Sequence, residues 1–236
     1  MLFQHGDYSK RKESIWYEGI DFVLQCYQKR RFLKVLEVGC GDGSFYRFLK
    51  KRARNKDINL SNLEYHGIDI FKDYEVFAQN ECIKFTVGNA LFLEKYYKAR
   101  EFDIVIASEI IEHVDETDKL IRAIKYVTKD NGYLYLTTPN LASYHARLML
   151  LLGYHPLCDE VSNERADFGK GFMWKFYGGN NFTPIHHIRC FTLRALKDFL
   201  IYHGFKILKI YGGGYRKIDK IWRRFPGLSP VIKIIA

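Results

Sequence analysis

The chain has 236 residues, 47% apolar and 27% charged, which suits one buried core with an elaboration. Its densest apolar patch, Leu148 to Leu152, is far shorter than the roughly 20 residues of a membrane span, so no spanning helix is expected. The net charge of +10, with a pI near 9.2, leaves room for an anionic partner such as RNA, an acidic lipid surface or an acidic glycan.

Residues 1–32 form an N-terminal segment whose core is helical. Ile15, Trp16, Ile20, Val23, Leu24 and Tyr27 recur at helical spacing, which predicts an amphipathic helix over 10–30. Met1 to Asp7 lack a signal peptide's charged start and apolar stretch. Five scattered cysteines (Cys26, Cys40, Cys82, Cys158, Cys190) without a C-x-x-C pair fit reduced thiols, and together these features predict a cytoplasmic protein. Strand-like runs follow at 34–38, 63–70, 83–88, 102–107, 133–137 and 206–211, with helical stretches at 44–53, 117–128 and 193–203. Such alternation predicts an α/β fold with a mostly parallel sheet and helices on both faces. Residues 226–236 read as a last, antiparallel strand.

Two stretches interrupt this rhythm. Residues 50–62 read as a basic loop insertion, with Lys50, Lys51, Arg52, Arg54 and Lys56; a second basic cluster holds Arg216, Lys217, Lys220, Arg223 and Arg224. Either cluster is a solvated face or a nucleic-acid surface. Residues 141–186 hold a helix at 142–152 and then Gly169, Gly171, Phe172, Trp174, Phe176, Tyr177, Gly178, Gly179 and Phe182. This stretch reads as a substrate-cap insertion, the alternative being an added packing lobe. The whole, 1–236, is expected to be a single domain.

The chemistry concentrates at strand ends. Val35-Leu36-Glu37-Val38-Gly39-Cys40-Gly41-Asp42-Gly43-Ser44-Phe45 runs from an apolar strand through three alternating glycines into a helix. Such a turn offers backbone N–H groups and bare chain surface to a nucleoside-bearing cofactor. A dinucleotide site would read G-x-G-x-x-G and seat a pyrophosphate. Here the pattern is G-x-G-x-G behind an acid, which suits a cofactor carrying a sulfonium and an amino group. The segment resembles motif I of the class I S-adenosylmethionine (SAM)-dependent methyltransferases, a Rossmann-like fold with a seven-stranded sheet. Asp69 ends the second strand, where an acid accepts hydrogen bonds from ribose hydroxyls. The resemblance, which spans roughly residues 30 to 210, implies SAM as cofactor and S-adenosylhomocysteine as product. It implies cofactor contacts at Glu37, Gly39, Cys40, Gly41, Asp69, Ile70, Asn89, Ala90 and Ser108, with Asn89 near the adenine amino group. Tyr8 would fold over the cofactor, as N-terminal tyrosines do in some relatives.

Beyond the fourth strand comes Ser108-Glu109-Ile110-Ile111-Glu112-His113. On a helix, positions i, i+3 and i+4 share a face, so Glu109, Glu112 and His113 are expected to converge. This E-x-x-E-H phrase resembles ubiquinone-biosynthesis O-methyltransferases and 2′-O-methyltransferases of small RNAs. That resemblance implies a Mg²⁺ or Mn²⁺ site completed by a later histidine, for which His187 stands at better spacing than His186. Without a metal, Glu109 lies near the cofactor, Glu112 and His113 support the loop, and His187 lines the pocket as general base; the catalytic candidates are Glu109, His187 and His113. His145 and His155 read as packing or surface residues, and Thr192 as a helix cap. The expected acceptor is a small-molecule, lipid-linked or glycan oxygen. RNA is the alternative acceptor, and a non-catalytic SAM-binding module is the alternative of a different class.

Overall fold

Buried apolar runs account for most of the strands. The computed structural model describes residues 15–30, 32–176, 183–215 and 218–236. Tyr8, Tyr177, Gly178, Gly179, Phe182, Arg216 and Lys217 lie outside the described residues, as do the side chains of Phe176 and Lys220. In chain order the elements are α1 (Tyr17–Lys29), β1 (Leu33–Val38), α2 (Ser44–Arg54), β2 (Leu63–Asp69), α3 (Glu75–Asn80), β3 (Lys84–Val87) and β4 (Phe102–Ser108). There follow α4 (Thr117–Val127), β5 (Thr128–Pro139), α5 (Tyr144–Leu151), α6 (Gly171–Phe176), α7 (Leu193–Tyr202), β6 (Lys209–Gly213) and β7 (Val231–Ile235).

The seven strands lie in the order β3-β2-β1-β4-β5-β7-β6. β1 pairs in parallel with both β2 and β4, with Glu37 opposite Gly67 and Ile106, and β2 pairs in parallel with β3. β4 is buried along its full length, as expected of a strand with neighbours on both sides. β7 runs antiparallel to β5: Leu134 and Ala236 exchange both backbone hydrogen bonds, at 2.7 and 2.9 Å, which only an antiparallel pair can do. The expected final antiparallel strand is therefore present.

The chain forms two compact units, one from Met1–Ser108, Asp118–Leu136 and Ile235–Ala236, the other from Glu109–Thr117 and Thr137–Ile234. In the first, α1 buries Ile20, Val23 and Leu24, and the ring of Trp16 packs against Phe45 and Phe48 of α2. The α1 face reaches Tyr135 of β5, whose ring occupies the space a side chain at Gly19 would need. α2 extends to Arg54, so the basic residues from Lys50 to Arg54 are helical and only the stretch after Arg54 is loop. The apolar positions of α2 run through buried Ala53, its predicted end, and the basic residues from Lys50 fall within the helix rather than in an insertion. Its cations are also engaged: Lys50 pairs with Glu81, and Arg52 and Lys56 pair with Asp21. That arrangement makes the first basic cluster part of this unit's own ion-pair network.

In the second unit α5 is capped by the Ser143 hydroxyl and α7 by the Thr192 hydroxyl, the latter as its sequence position predicts. His145 is buried, and burial pushes its imidazole down to about 4, so it packs as a neutral ring.

Gly19→Ala should lower stability by roughly 1–3 kcal/mol in urea or thermal unfolding, because the new methyl overlaps a fully buried ring. The helical preference of alanine, about 1 kcal/mol over glycine, works against this but is the smaller effect.

Candidate active site

The turn from β1 into α2 is built by three residues with positive φ, Gly39 at 68°, Gly41 at 50° and Gly43 at 71°. Its amide groups are already used. Gly39 and Cys40 donate to the Ile68 carbonyl, Gly41 donates to the Asp69 carboxylate at 2.9 Å, and Ser44 donates to Asp42. These N–H groups, expected from the sequence to be open to a ligand, are consumed by the end of β2 and by the helix cap. The turn is therefore not a phosphate cradle, and acidic side chains set its character.

Glu37, Asp42 and Asp69 gather here. Glu37 is buried and its Oε2 accepts the Tyr65 hydroxyl at 2.7 Å. Burial pushes its carboxyl up to about 8, with Asp42 and Asp69 adding like-charge repulsion. A cation arriving at this turn would relieve both effects. The Asp69 carboxylate accepts Gly41 N–H at 2.9 Å and Phe71 N–H at 3.1 Å, which fixes it at the end of β2.

The remaining residues predicted for the cofactor fall into two groups. Ile70, at 59% exposure, and Asn89 present side chains at the ends of β2 and β3, and Ala90 is buried beside Asn89. Asn89 Oδ1 caps the following 3-10 turn by accepting Leu91 N–H at 2.9 Å, which leaves one lone pair for a donor such as an adenine amine. Cys40 and Ser108 also have partners within the fold. The Cys40 thiol is buried, its pKa pushed up by that burial, in the space that Gly67 leaves open. The Ser108 hydroxyl accepts Trp16 Nε1–H at 2.8 Å.

The second unit carries the other predicted cluster. Ile111–His113 is a 3-10 turn, and Glu109 ahead of it has φ of 54°, in the left-handed region. The regular helix that would align Glu109, Glu112 and His113 is absent for this reason. Glu112, His113 and His187 converge, each offering a ligand atom within 4.8 Å of the others; Glu109 is outside that group. Glu112 is 1% exposed and accepts the Thr138 hydroxyl at 3.0 Å. Glu109 accepts Thr137 Oγ1–H at 2.9 Å and Tyr215 O–H at 2.7 Å.

The histidine tautomers follow from their partners. His187 Nδ1 lies 2.7 Å from the Cys158 carbonyl and His113 Nδ1 lies 3.2 Å from the His186 carbonyl. A carbonyl only accepts, so each Nδ1 carries a proton, and the nitrogen that can ligate is Nε2. Metal-binding histidines are oriented in this way, and a carboxylate with two imidazole nitrogens suits a first-row divalent ion. The residues present therefore fit a divalent cation.

A model of a methyltransferase-domain family matches residues 9–210. The chain belongs to this methyltransferase family. Its fold is that of the class I SAM-dependent enzymes, and such a family implies SAM as cofactor. The domain is 26% identical to the ubiquinone biosynthesis O-methyltransferase of Histophilus somni over 58% of this chain and 57% of that protein. It is 26% identical to an uncharacterized protein of Methanocaldococcus jannaschii over 54% of this chain and 50% of the other. The matched stretch thus spans about half the length of these curated relatives. A solved SAM-dependent methyltransferase of Archaeoglobus fulgidus shares the fold, with a TM-score of 0.57 at 16% identity over 98% of this chain and 96% of that one.

Four residues of the methyltransferase domain support the site residues without having been assigned that part from the sequence. Tyr65 holds Glu37; it lies two positions before Gly67, the register partner of Glu37, and so on the same face of the sheet. Thr137 and Thr138, at the end of β5, donate to Glu109 and Glu112. Glu160 accepts the backbone N–H groups of Ile185 and His186, at 2.9 and 2.8 Å, and so clamps the turn that delivers His187. His186 has φ of 62°, strain that such a clamp sustains. Glu160→Ala should raise amide hydrogen exchange at Ile185 and His186 by roughly 10- to 100-fold, the loss of charge-assisted bonds worth about 1.5–3 kcal/mol. Unchanged protection would show that the turn is held by other contacts.

Proposed function

We propose that the chain transfers a methyl group from SAM to an oxygen of a small-molecule, lipid-linked or glycan acceptor, assisted by a divalent cation on Glu112, His113 and His187. The observation that carries this reading is the pair of imidazoles, each with Nδ1 on a backbone carbonyl, grouped with a buried carboxylate. The relatives named as ubiquinone biosynthesis O-methyltransferases support chemistry at oxygen. Bound, the cation would supply Lewis acidity that lowers the pKa of an acceptor hydroxyl, best for a vicinal oxygen pair.

The chain's own residues do the rest. Glu37, with Asp42 and Asp69 near it, attracts the sulfonium and ammonium of the cofactor. Asp69 binds the ribose hydroxyls, Ile70 and Ala90 flank the adenine ring, and Asn89 accepts from its amino group. The turn at Gly39 and Gly41 keeps side chains away from the cofactor's path. Transfer is an in-line displacement at the methyl carbon, so orientation of the acceptor oxygen accounts for much of the rate. Glu109 receives the acceptor proton. With Lys50, Arg52 and Lys56 of the first basic cluster paired internally, a small acceptor is favoured over RNA.

Methyl-labelled SAM supplied with 3,4-dihydroxybenzoate, and separately with lipid, glycan and RNA fractions of an extract, tests the reading. Label is expected in a non-RNA acceptor, lost with EDTA and restored by Mn²⁺. Label confined to RNA would replace the acceptor class, and transfer indifferent to EDTA would make His187 the base of a metal-free reaction.

Binding should also be pH-dependent. Free Glu37, with its carboxyl near 8, is mostly protonated at neutrality, and a cationic cofactor favours its ionised form. SAM affinity should therefore rise between about pH 6 and 7.5, by at most about tenfold per unit, with one proton released. Calorimetry in buffers of different ionisation enthalpy reads that proton. Glu37→Gln should bind more weakly with a flat profile, and a flat wild-type profile would contradict the role given to Glu37.

A further inference from the structure

The Glu109 carboxylate is held by hydroxyls from two distant parts of the chain. Thr137 Oγ1–H reaches Oε1 from the end of β5, and Tyr215 O–H reaches Oε2 from the segment just after β6. The Glu109 N–H donates to the Thr137 carbonyl at 3.0 Å, and the backbone is left-handed, a conformation that a residue with a Cβ adopts only under constraint. Main chain and both carboxylate oxygens are thus fixed in place, and that place is outside the converging group of Glu112, His113 and His187.

Sequence spacing alone would make Glu109 a fourth member of that group. The bonds from Thr137 and Tyr215 are what hold it elsewhere. Thr137 is fully buried within β5 and has no room to move, whereas Tyr215 is 43% exposed and lies beyond the end of β6. Of the two restraints, the phenol is therefore the one nearer solvent, and its loss would release Oε2 and leave the carboxylate held by Thr137 alone.

We propose that Tyr215 is a positioning residue that keeps Glu109 out of the cation's coordination shell and so reserves it for the acceptor proton. This rests on the divalent-cation reading above. A carboxylate drawn into the shell would add a charged ligand and tighten the ion, but its lone pairs would then be spent on the metal. Restraint by an external hydroxyl separates the two tasks: three residues hold the ion, and the Glu109 carboxylate is left for the acceptor proton. Replacing Tyr215 by Phe removes one oxygen and leaves the ring.

Titration of Mn²⁺, with free ion read by electron paramagnetic resonance, tests this on wild type, Glu109→Gln, Glu112→Gln, Tyr215→Phe and the Tyr215→Phe/Glu109→Gln double variant. Glu109→Gln should bind within about twofold of wild type, and Glu112→Gln should lose binding. Tyr215→Phe should bind about tenfold more tightly, since the released carboxylate oxygen adds charge to the shell. The double variant should return to the wild-type affinity, which a merely structural effect of the tyrosine would not produce. Three results overturn the proposal while leaving the cation reading intact: Tyr215→Phe equal to wild type, a tightening that survives in the double variant, or Glu109→Gln as damaging as Glu112→Gln. Absence of Mn²⁺ binding in wild type and Tyr215→Phe alike removes the cation reading and the proposal together.

Discussion

Glu37 is a carboxyl buried at the end of a strand, beside a turn whose own amide groups are already satisfied. An ionised acid in such a place is costly, and Asp42 and Asp69 make it costlier, so the group stays protonated until something cationic arrives. That constraint shapes the first unit. Tyr65 supplies the hydrogen bond that makes burial tolerable, Gly67 opens the space that Cys40 fills, and Asp69 ties Gly41 down. A pyrophosphate would meet acids here and few open N–H groups. A sulfonium with an ammonium would meet an acid ready to ionise.

In the second unit the organising contacts are backbone carbonyls. The carbonyls of Cys158 and His186 select the histidine tautomers, and Glu160 and the Glu112 carbonyl hold the strained turn that presents His187. Side chains that ligate or accept protons need partners that fix their rotamers, and here those partners come from loops far apart in sequence. The two positive-φ residues nearest this cluster, Glu109 and His186, mark where the chain bends to bring them in.

Much of the fold could be read from apolar periodicity because the central strands are buried on both sides. β4 matches its predicted span to one residue. β5 begins at Thr128, five residues before the apolar run does, because Lys129, Asp130 and Asn131 extend the strand beyond the apolar core. α2 ends at Arg54, one residue past its predicted end. At the sites, acids at strand ends were legible because strand C-termini are where open parallel sheets bind ligands. The placement of Glu109 was not, since i, i+3, i+4 spacing presumes a helix and a single left-handed residue breaks it. Glu160 and Tyr215 were illegible for a different reason. Glu160 acts across 25 residues through two backbone N–H groups and Tyr215 across 106 through one hydrogen bond, and no local pattern encodes that.

Equilibrium binding of SAM, S-adenosylhomocysteine and NAD to the purified chain at one pH tests the central claim most directly. SAM should bind more tightly than S-adenosylhomocysteine, because only SAM brings the sulfonium to the Glu37 turn, and NAD should not bind. Preference for NAD, or no discrimination between the charged and uncharged thioether forms, would contradict the account.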